Sequence, residues 1–206
     1  MGQINSTKAE PNSAEADHQA TASVYCVDDR NFVKYERSLL SHADLDFGTE
    51  ILYFKVKTKK FEEKDVRIRT IIVSSKQVLN NPAVAKDVPI LVFVHGYCGS
   101  GALFYKIFKH LARFCCLILV DLVGMGGSDH PNDFDRSTQD LEAVIEYFVE
   151  YLELWRQKIS KSRLMREYAC FRERTPGECM ERFYLAGHSF GAYICAHYAL
   201  KYPEKI

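Results

Sequence analysis

The spacing of hydrophobic and polar positions changes several times along this chain, and each change marks an element. Residues 2 to about 30 are rich in Ser, Thr, Asn, Ala and acidic groups without apolar periodicity, which predicts a disordered tail (1–30) ahead of one domain (31–206). From Phe32 onward the pattern tightens. ILYFKVK (Ile51 to Lys57) and VRIRTIIV (Val66 to Val73) alternate or run apolar and favour β-branched and aromatic residues, predicting two strands joined by the charged loop Lys59 to Asp65. Lys55, Lys57, Lys59 and Lys60 read as the solvated face of an edge pair, where lysine deters unwanted strand pairing; a phosphate or anionic-lipid contact is the alternative.

The next part alternates strand and helix. VPILVFVHG is a continuous apolar run between Pro89 and Gly96, as expected of a strand buried on both faces. LFYKIFKHLARF then places 103, 104, 107, 108 and 111 on a helical stripe. CCLILVD predicts a second buried strand, ending in the glycine-rich turn DLVGMGGSDHP. A longer helix follows, with Leu141, Val144, Ile145, Phe148, Leu152, Trp155 and Ile159 on one face and Ser137 as its N-cap. RFYLAG predicts a third short strand, and FGAYICAHYALKY a helix stopped by Pro203. Repeated strand–helix–strand units imply parallel strands with helices on both faces, so the fold class is α/β, a three-layer α/β/α sandwich of about five strands.

Composition narrows the function. Twenty-seven basic residues balance twenty-seven acidic ones, which argues against nucleic acid as a partner, since such binders neutralise phosphates with clustered Lys and Arg. The seven cysteines are irregularly placed without C-x-x-C spacing, as expected of reduced thiols in a cytoplasmic protein. No run approaches the roughly 18 to 20 apolar residues of a membrane helix, and the N-terminus lacks the apolar core of a secretion signal. It does carry MGQINSTK, which fits M-G-x-x-x-[ST] and makes Gly2 a candidate for N-myristoylation, with Ser6 at the hydroxyl position. One such chain gives marginal, reversible membrane association.

The chemistry gathers on Gly187-His188-Ser189-Phe190-Gly191, a G-x-S-x-G that directly follows a predicted strand and opens a predicted helix. In that context the serine occupies a strained turn, and the flanking Gly187 and Gly191 let strand and helix approach so that the hydroxyl stands clear. The Phe190 N–H then lies at a helix N-terminus, where it favours a developing oxyanion. A second donor, the Tyr97 N–H, is expected from HGYCGSG after the earlier strand, with His95 and Gly96 closing that strand and His95 bonding loop backbone. His188 is expected to be structural. The chemistry calls for no cofactor and no metal. Dinucleotide binding through GMGGSD is the weaker class, because Asp129 replaces the third glycine and no helix starts directly after it.

Over residues 88 to 206 the chain resembles the α/β-hydrolase fold superfamily, through His95-Gly96-Tyr97, then Asp121 to Ser128 with Gly124 and Gly126, then Gly187 to Gly191. Within it the likeness is to the branch of acyl-phospholipid lysophospholipases, cardiolipin deacylases and the lipid-droplet lipase co-activator. D-x-x-G-x-G-x-S followed by Pro131, Phe148 with the Trp155-Arg156 pair, and the elbow helix ending YALKYPEK carry it. Cys98 stands where the family prefers glycine, Ala192 replaces a common second glycine, and 159–180 is longer than usual. An epoxide hydrolase or dehalogenase would instead want an aspartate in place of Ser189.

The resemblance implies a serine hydrolase or acyltransferase for lipid or other esters, in peripheral contact with a membrane or lipid droplet. Ser189 is its catalytic nucleophile, and an acid and then a histidine follow in the chain. Past Ser189 the candidates are His197 and Glu204, neither within reach, so the chain is expected to be the N-terminal part of the domain and inactive by itself. An apolar strand left at the sheet edge is then expected to promote aggregation. His95, Asp121 and Ser189 in unusual order are the geometric alternative triad. A non-catalytic, co-activator-like interaction protein is the alternative function.

Overall fold

The computed structural model describes residues 29–43, 47–57, 65–75, 88–132, 134, 140–162, 165 and 180–206. Gly2, Ser6, Lys59, Lys60, Ser137 and most of 163–179 lie outside the described residues. Five strands form one sheet: β1 (Phe47–Val56), β2 (Val66–Ser75), β3 (Ile90–Val94), β4 (Cys116–Val120) and β5 (Tyr184–Gly187), in the order β1-β2-β4-β3-β5. Among the described residues four α-helices accompany them: α1 (Asp29–Ser41), α2 (Tyr105–Leu111), α3 (Leu141–Ser160) and α4 (Phe190–Lys201). Short 3-10 turns occupy Gly101–Phe104 and Pro203–Lys205.

The parallel arrangement holds for β3, β4 and β5, while β2 runs antiparallel to both β1 and β4, so the sheet is mixed. The short charged link between β1 and β2 is too brief for a crossover and returns the chain alongside itself, pairing Val56 with Val66. β4 is buried on both faces, which is why CLILV is apolar without interruption. Alternate residues feed two cores, because successive strand side chains point to opposite faces. Ile72, Val92, Ile118 and Val120 meet Val149, Leu152, Trp155 and Ile159 of α3 and Ile194 and Tyr198 of α4. Ile71, Val73, Leu117 and Leu119 meet Leu40 of α1, Ala102 and Phe108. The sheet is thus the middle of three layers.

Three features depart from the one-dimensional pattern. Helix α1 forms where no element was predicted, because its inward positions are Glu36 and Leu40, and a buried glutamate hides the apolar period. Leu103 and Leu141, counted on helical stripes, are 61% and 59% exposed. Leu103 sits in a 3-10 turn and Leu141 is the first residue of α3. The N-cap of α3 is Asp140, whose carboxylate accepts from the Glu142 N–H at 2.9 Å.

Winding decides where a site can form. From β3 the chain passes through α2 to β4 on one side, then through α3 to β5 on the other. The strand order reverses at β3, the place in an open α/β sheet where a site is expected beyond the carboxyl ends of the strands, here β3 and β5.

Candidate active site

The loop leaving β3 is built on His95, which is fully buried. Its Nδ1 lies 2.7 Å from the Gly96 carbonyl and its Nε2 accepts from the Leu122 N–H at 2.9 Å, a pairing that fits the neutral Nδ1–H tautomer. Both ring nitrogens are therefore engaged. Asp121, also fully buried, accepts from the Gly101 N–H at 2.7 Å, the Gly127 N–H at 2.9 Å, the Ser100 hydroxyl at 3.1 Å and Arg69 Nη1 at 3.2 Å. His95 Nε2 and Asp121 Oδ1 are 4.0 Å apart, beyond hydrogen bonding. This pair binds loops together and leaves no base lone pair for Ser189, which removes the alternative His95–Asp121–Ser189 arrangement.

The glycine-rich turn has its own logic. Gly124 and Gly126 take φ of 75° and 56°, and a Cβ on Gly126 would lie 2.3 Å from Asp121 Oδ2. The turn satisfies itself: Gly124 N–H donates to Asp129 O, Met125 N–H to Leu122 O, Ser128 N–H to Met125 O and Gly127 N–H to Asp121. Those donors are spent, and among the described residues the next helix begins at Leu141, so the turn offers no pyrophosphate cradle.

At the end of β5 the His188 N–H donates to the Val94 carbonyl at 2.9 Å, extending the β3–β5 pairing into the turn. Ser189 follows with φ 53° and ψ −121°, a conformation that side-chain-bearing residues rarely hold, and α4 starts at Phe190. The two glycines permit this geometry by close approach. A Cβ on Gly187 would lie 2.6 Å from Ala192 N, and one on Gly191 would lie 2.2 Å from the His95 carbonyl oxygen. Ser189 is solvent-exposed, and its side chain caps no backbone N–H.

The two loops touch. A Cβ on Gly96 would stand 3.2 Å from Ser189 Cβ, and the Tyr97 and Phe190 rings meet edge to face at 6.2 Å. The Gly96-Tyr97 backbone therefore lies against Ser189-Phe190. Phe190 N–H is the first of α4 and has no acceptor within the helix. His188 is exposed, with its ring against Phe104 at 5.5 Å. His197 lies about 12 Å along the helix axis from Ser189 and meets the Tyr193 ring edge to face at 4.7 Å. Among the described residues no histidine or carboxylate is hydrogen-bonded to Ser189. Among them, too, no group of three or more His, Cys, Asp or Glu could hold a metal ion, and no helix is long and apolar enough to cross a membrane.

Sequence reasoning missed the residues behind this arrangement. Arg69, fully buried in β2, is ion-paired both to Asp121 and to Glu36 of α1. Burial lifts the Glu36 carboxyl above its ordinary range against the opposing pull of Arg69. The available signal was an arginine in the strand VRIRTIIV, in the same alternation as the inward-facing Ile71 and Val73.

Comparison with known proteins agrees with this architecture. A family profile described as alpha/beta hydrolase fold matches residues 89–157. A 1-acylglycerol-3-phosphate O-acyltransferase of Arabidopsis thaliana is 36% identical over 118 residues, 57% of this chain and 23% of that protein. The abhydrolase domain-containing protein abhd-5.2 of Caenorhabditis elegans is 31% identical over 143 residues, 69% of this chain and 26% of that protein. A (lyso)-N-acylphosphatidylethanolamine lipase of Mus musculus is 29% identical over 140 residues, 68% of this chain and 32% of that protein. The chain thus spans between 23% and 32% of the length of these relatives.

Among solved structures, a bacterial membrane phospholipase A superposes with a TM-score of 0.56 at 17% identity, covering 94% of this chain and 47% of that one. Carboxylesterase CesB from Bacillus subtilis gives 0.52 at 18% identity, covering 85% and 46%. These two likenesses carry the fold alone. The structure is a partial α/β-hydrolase fold, and the chain's similarity lies with the branch that holds these acyltransferase and lipase relatives.

Proposed function

We propose that this chain supplies the nucleophile and oxyanion hole of a serine acyl hydrolase or acyltransferase acting on lipid esters. The observation that carries the reading is Ser189: exposed, at φ 53°, held between two glycines at the junction of β5 and α4 and against the Gly96-Tyr97 backbone. Its Oγ attacks an ester carbonyl and gives up its proton, while the N–H groups of Tyr97 and Phe190 receive the developing oxyanion. Collapse of the tetrahedral adduct expels the alcohol, which takes that proton, and leaves an acyl-serine. Water then releases a fatty acid, or a lysolipid hydroxyl accepts the acyl group. The relatives named as an acyltransferase and a lipase support a glycerophospholipid-type ester as the substrate. Myristoylation at Gly2 would bring the chain to that substrate at a membrane or lipid-droplet surface.

The proton acceptor is not among the described residues, so turnover by this chain is expected only when a base is added. The test is acyl trapping. Incubated with p-nitrophenyl dodecanoate in imidazole buffer, the protein is expected to gain one dodecanoyl group at Ser189 by intact mass and peptide mapping, and Ser189→Ala to gain none. Absence of an adduct on the parent protein overturns the reading. With no base hydrogen-bonded to Ser189 among the described residues, the second reading is a non-catalytic lipid-interaction protein, which the same protein would support by binding phosphatidylcholine vesicles without acylation.

A further inference from the structure

The chain carries no net charge, yet the fold sorts its charges by layer. From Val88 to Val120 there is no Asp or Glu, and this stretch holds Lys106, Lys109 and Arg113. The 3-10 turn Gly101–Phe104 and α2 lay it over one face of the sheet. The exposed positions Leu103, Lys106, His110, Arg113 and Phe114 recur at steps of three and four residues. They therefore form one stripe along α2 and the turn after it, with an apolar side chain at each end. Phe114 is 75% exposed, more than a ring held by its own fold needs to be. Helix α1 packs in the same layer through Leu40 and turns Lys34, Tyr35 and Arg37 outward, while Glu36 points inward to Arg69. On the other face of the sheet α3 does the reverse, exposing Glu142, Glu146 and Glu150 at steps of four.

We propose that the outward side of α1 and α2 is a membrane-contact surface that receives anionic phospholipid headgroups, with Leu103 and Phe114 entering the interface beside them. Charge complementarity selects this occupant. Among the described exposed residues of α1, the 3-10 turn and α2 there is no carboxylate, so an anionic surface attracts this layer and repels the acidic face of α3. The separation fixes which side of the molecule meets the lipid. Apolar side chains standing singly among cations fit a planar headgroup region, whereas a protein partner calls for a clustered apolar centre. The surface also reaches the candidate site: Leu103 precedes Phe104, whose ring meets that of His188, the neighbour of Ser189, at 5.5 Å. A myristoyl group at Gly2 associates only marginally by itself, and this layer would supply the second contact. The inference is independent of the reading of Ser189 as nucleophile.

The test is flotation of the unmyristoylated 206-residue chain with phosphatidylcholine vesicles that contain or lack phosphatidylserine. Binding is expected to be stronger with phosphatidylserine and to weaken as added salt screens the headgroups. Lys106→Ala combined with Arg113→Ala is expected to weaken it about twenty-fivefold, about fivefold for each cation removed. Leu103→Ser is expected to weaken binding while leaving its salt dependence in place. Lys158→Ala, which removes an exposed cation from α3, is expected to change binding little, and Ser189→Ala to leave it as in the parent. Far-UV circular dichroism verifies the folding of each variant. Equal binding to both kinds of vesicle, or a loss in Lys158→Ala as large as that in the double variant, overturns the inference. Capture by polyglutamate without flotation on either vesicle also overturns it, and would assign the surface to an acidic protein instead.

Discussion

Among the described residues, two that carry side chains have positive φ: Ser189 and Cys98, both at 53°. Strain at Ser189 has a function in the proposed chemistry, since it lifts the hydroxyl clear of the sheet. Cys98 has no such role, and its left-handed backbone is one that glycine adopts without cost from a Cβ. Cys98→Gly is therefore expected to stabilise the fold by about 1 kcal/mol, read as a higher urea midpoint with unchanged slope. An unchanged or lower midpoint would show that the exposed thiol contributes more than the backbone loses. Gly191 gives the opposite case: Gly191→Ala forces a methyl to within 2.2 Å of the His95 carbonyl oxygen and 2.4 Å of that of Val94, the last residue of β3. The expected loss is about 2–3 kcal/mol by the same measurement. The family's preference for glycine at position 98, read from sequence, acquires its physical reason here. The sequence could not assign Arg69 and Glu36, because their burial depends on each other and on Asp121, three partners far apart in the chain.

Helices α3 and α4 are locked by a polar network that the apolar stripe of α3 only partly announces. Trp155 Nε1 donates to Thr70 Oγ1 at 2.8 Å and so fastens α3 to β2. One residue on, Arg156 donates to both Glu153 oxygens at 2.7 and 2.8 Å and to the Met180 carbonyl at 3.0 Å, at the approach to β5. Glu153 also accepts from the Tyr198 hydroxyl of α4 at 2.6 Å. The Trp-Arg pair was visible as a motif, but its reason, fixing the elbow helix against the sheet, required the fold. Burial alone would raise the Glu153 carboxyl, yet the hydrogen bonds from Arg156, Tyr198 and Gln157 and the Arg156 charge hold it below its ordinary 4.5. A depressed carboxylate pKa contributes stability above the unfolded value, lost as pH falls through the folded one. Unfolding free energy is thus expected to decline below about pH 4.5, and Glu153→Gln to flatten that part of the profile. At pH 7 the same substitution strands the nearly buried Arg156 and is expected to cost roughly 3 kcal/mol by urea titration. A Glu153→Gln protein as stable as the parent at pH 7 would contradict this account of the α3–α4 joint.

At the scale of the molecule, three parallel strands with an antiparallel pair at one margin put the reversal point at β3 and the candidate site beyond β3 and β5. The alternation of apolar runs and helical stripes made that class legible, because buried strands and amphipathic helices leave different periods in a sequence. The mixed pairing of β2 with β4 left no such trace. β5 is the sheet's other margin, and Tyr184 on it, with Tyr193 and Leu200 on α4, is exposed. What joins the scales is Ser189, which the winding, the two glycines and the loop after β3 together present to solvent. The most direct measurement is the rate at which a fluorophosphonate labels this protein across an imidazole titration, followed by intact mass. One label at Ser189, with a rate that rises with imidazole and vanishes in Ser189→Ala, is the expected result. No label at any imidazole concentration, or equal labelling of Ser189→Ala, would contradict the account.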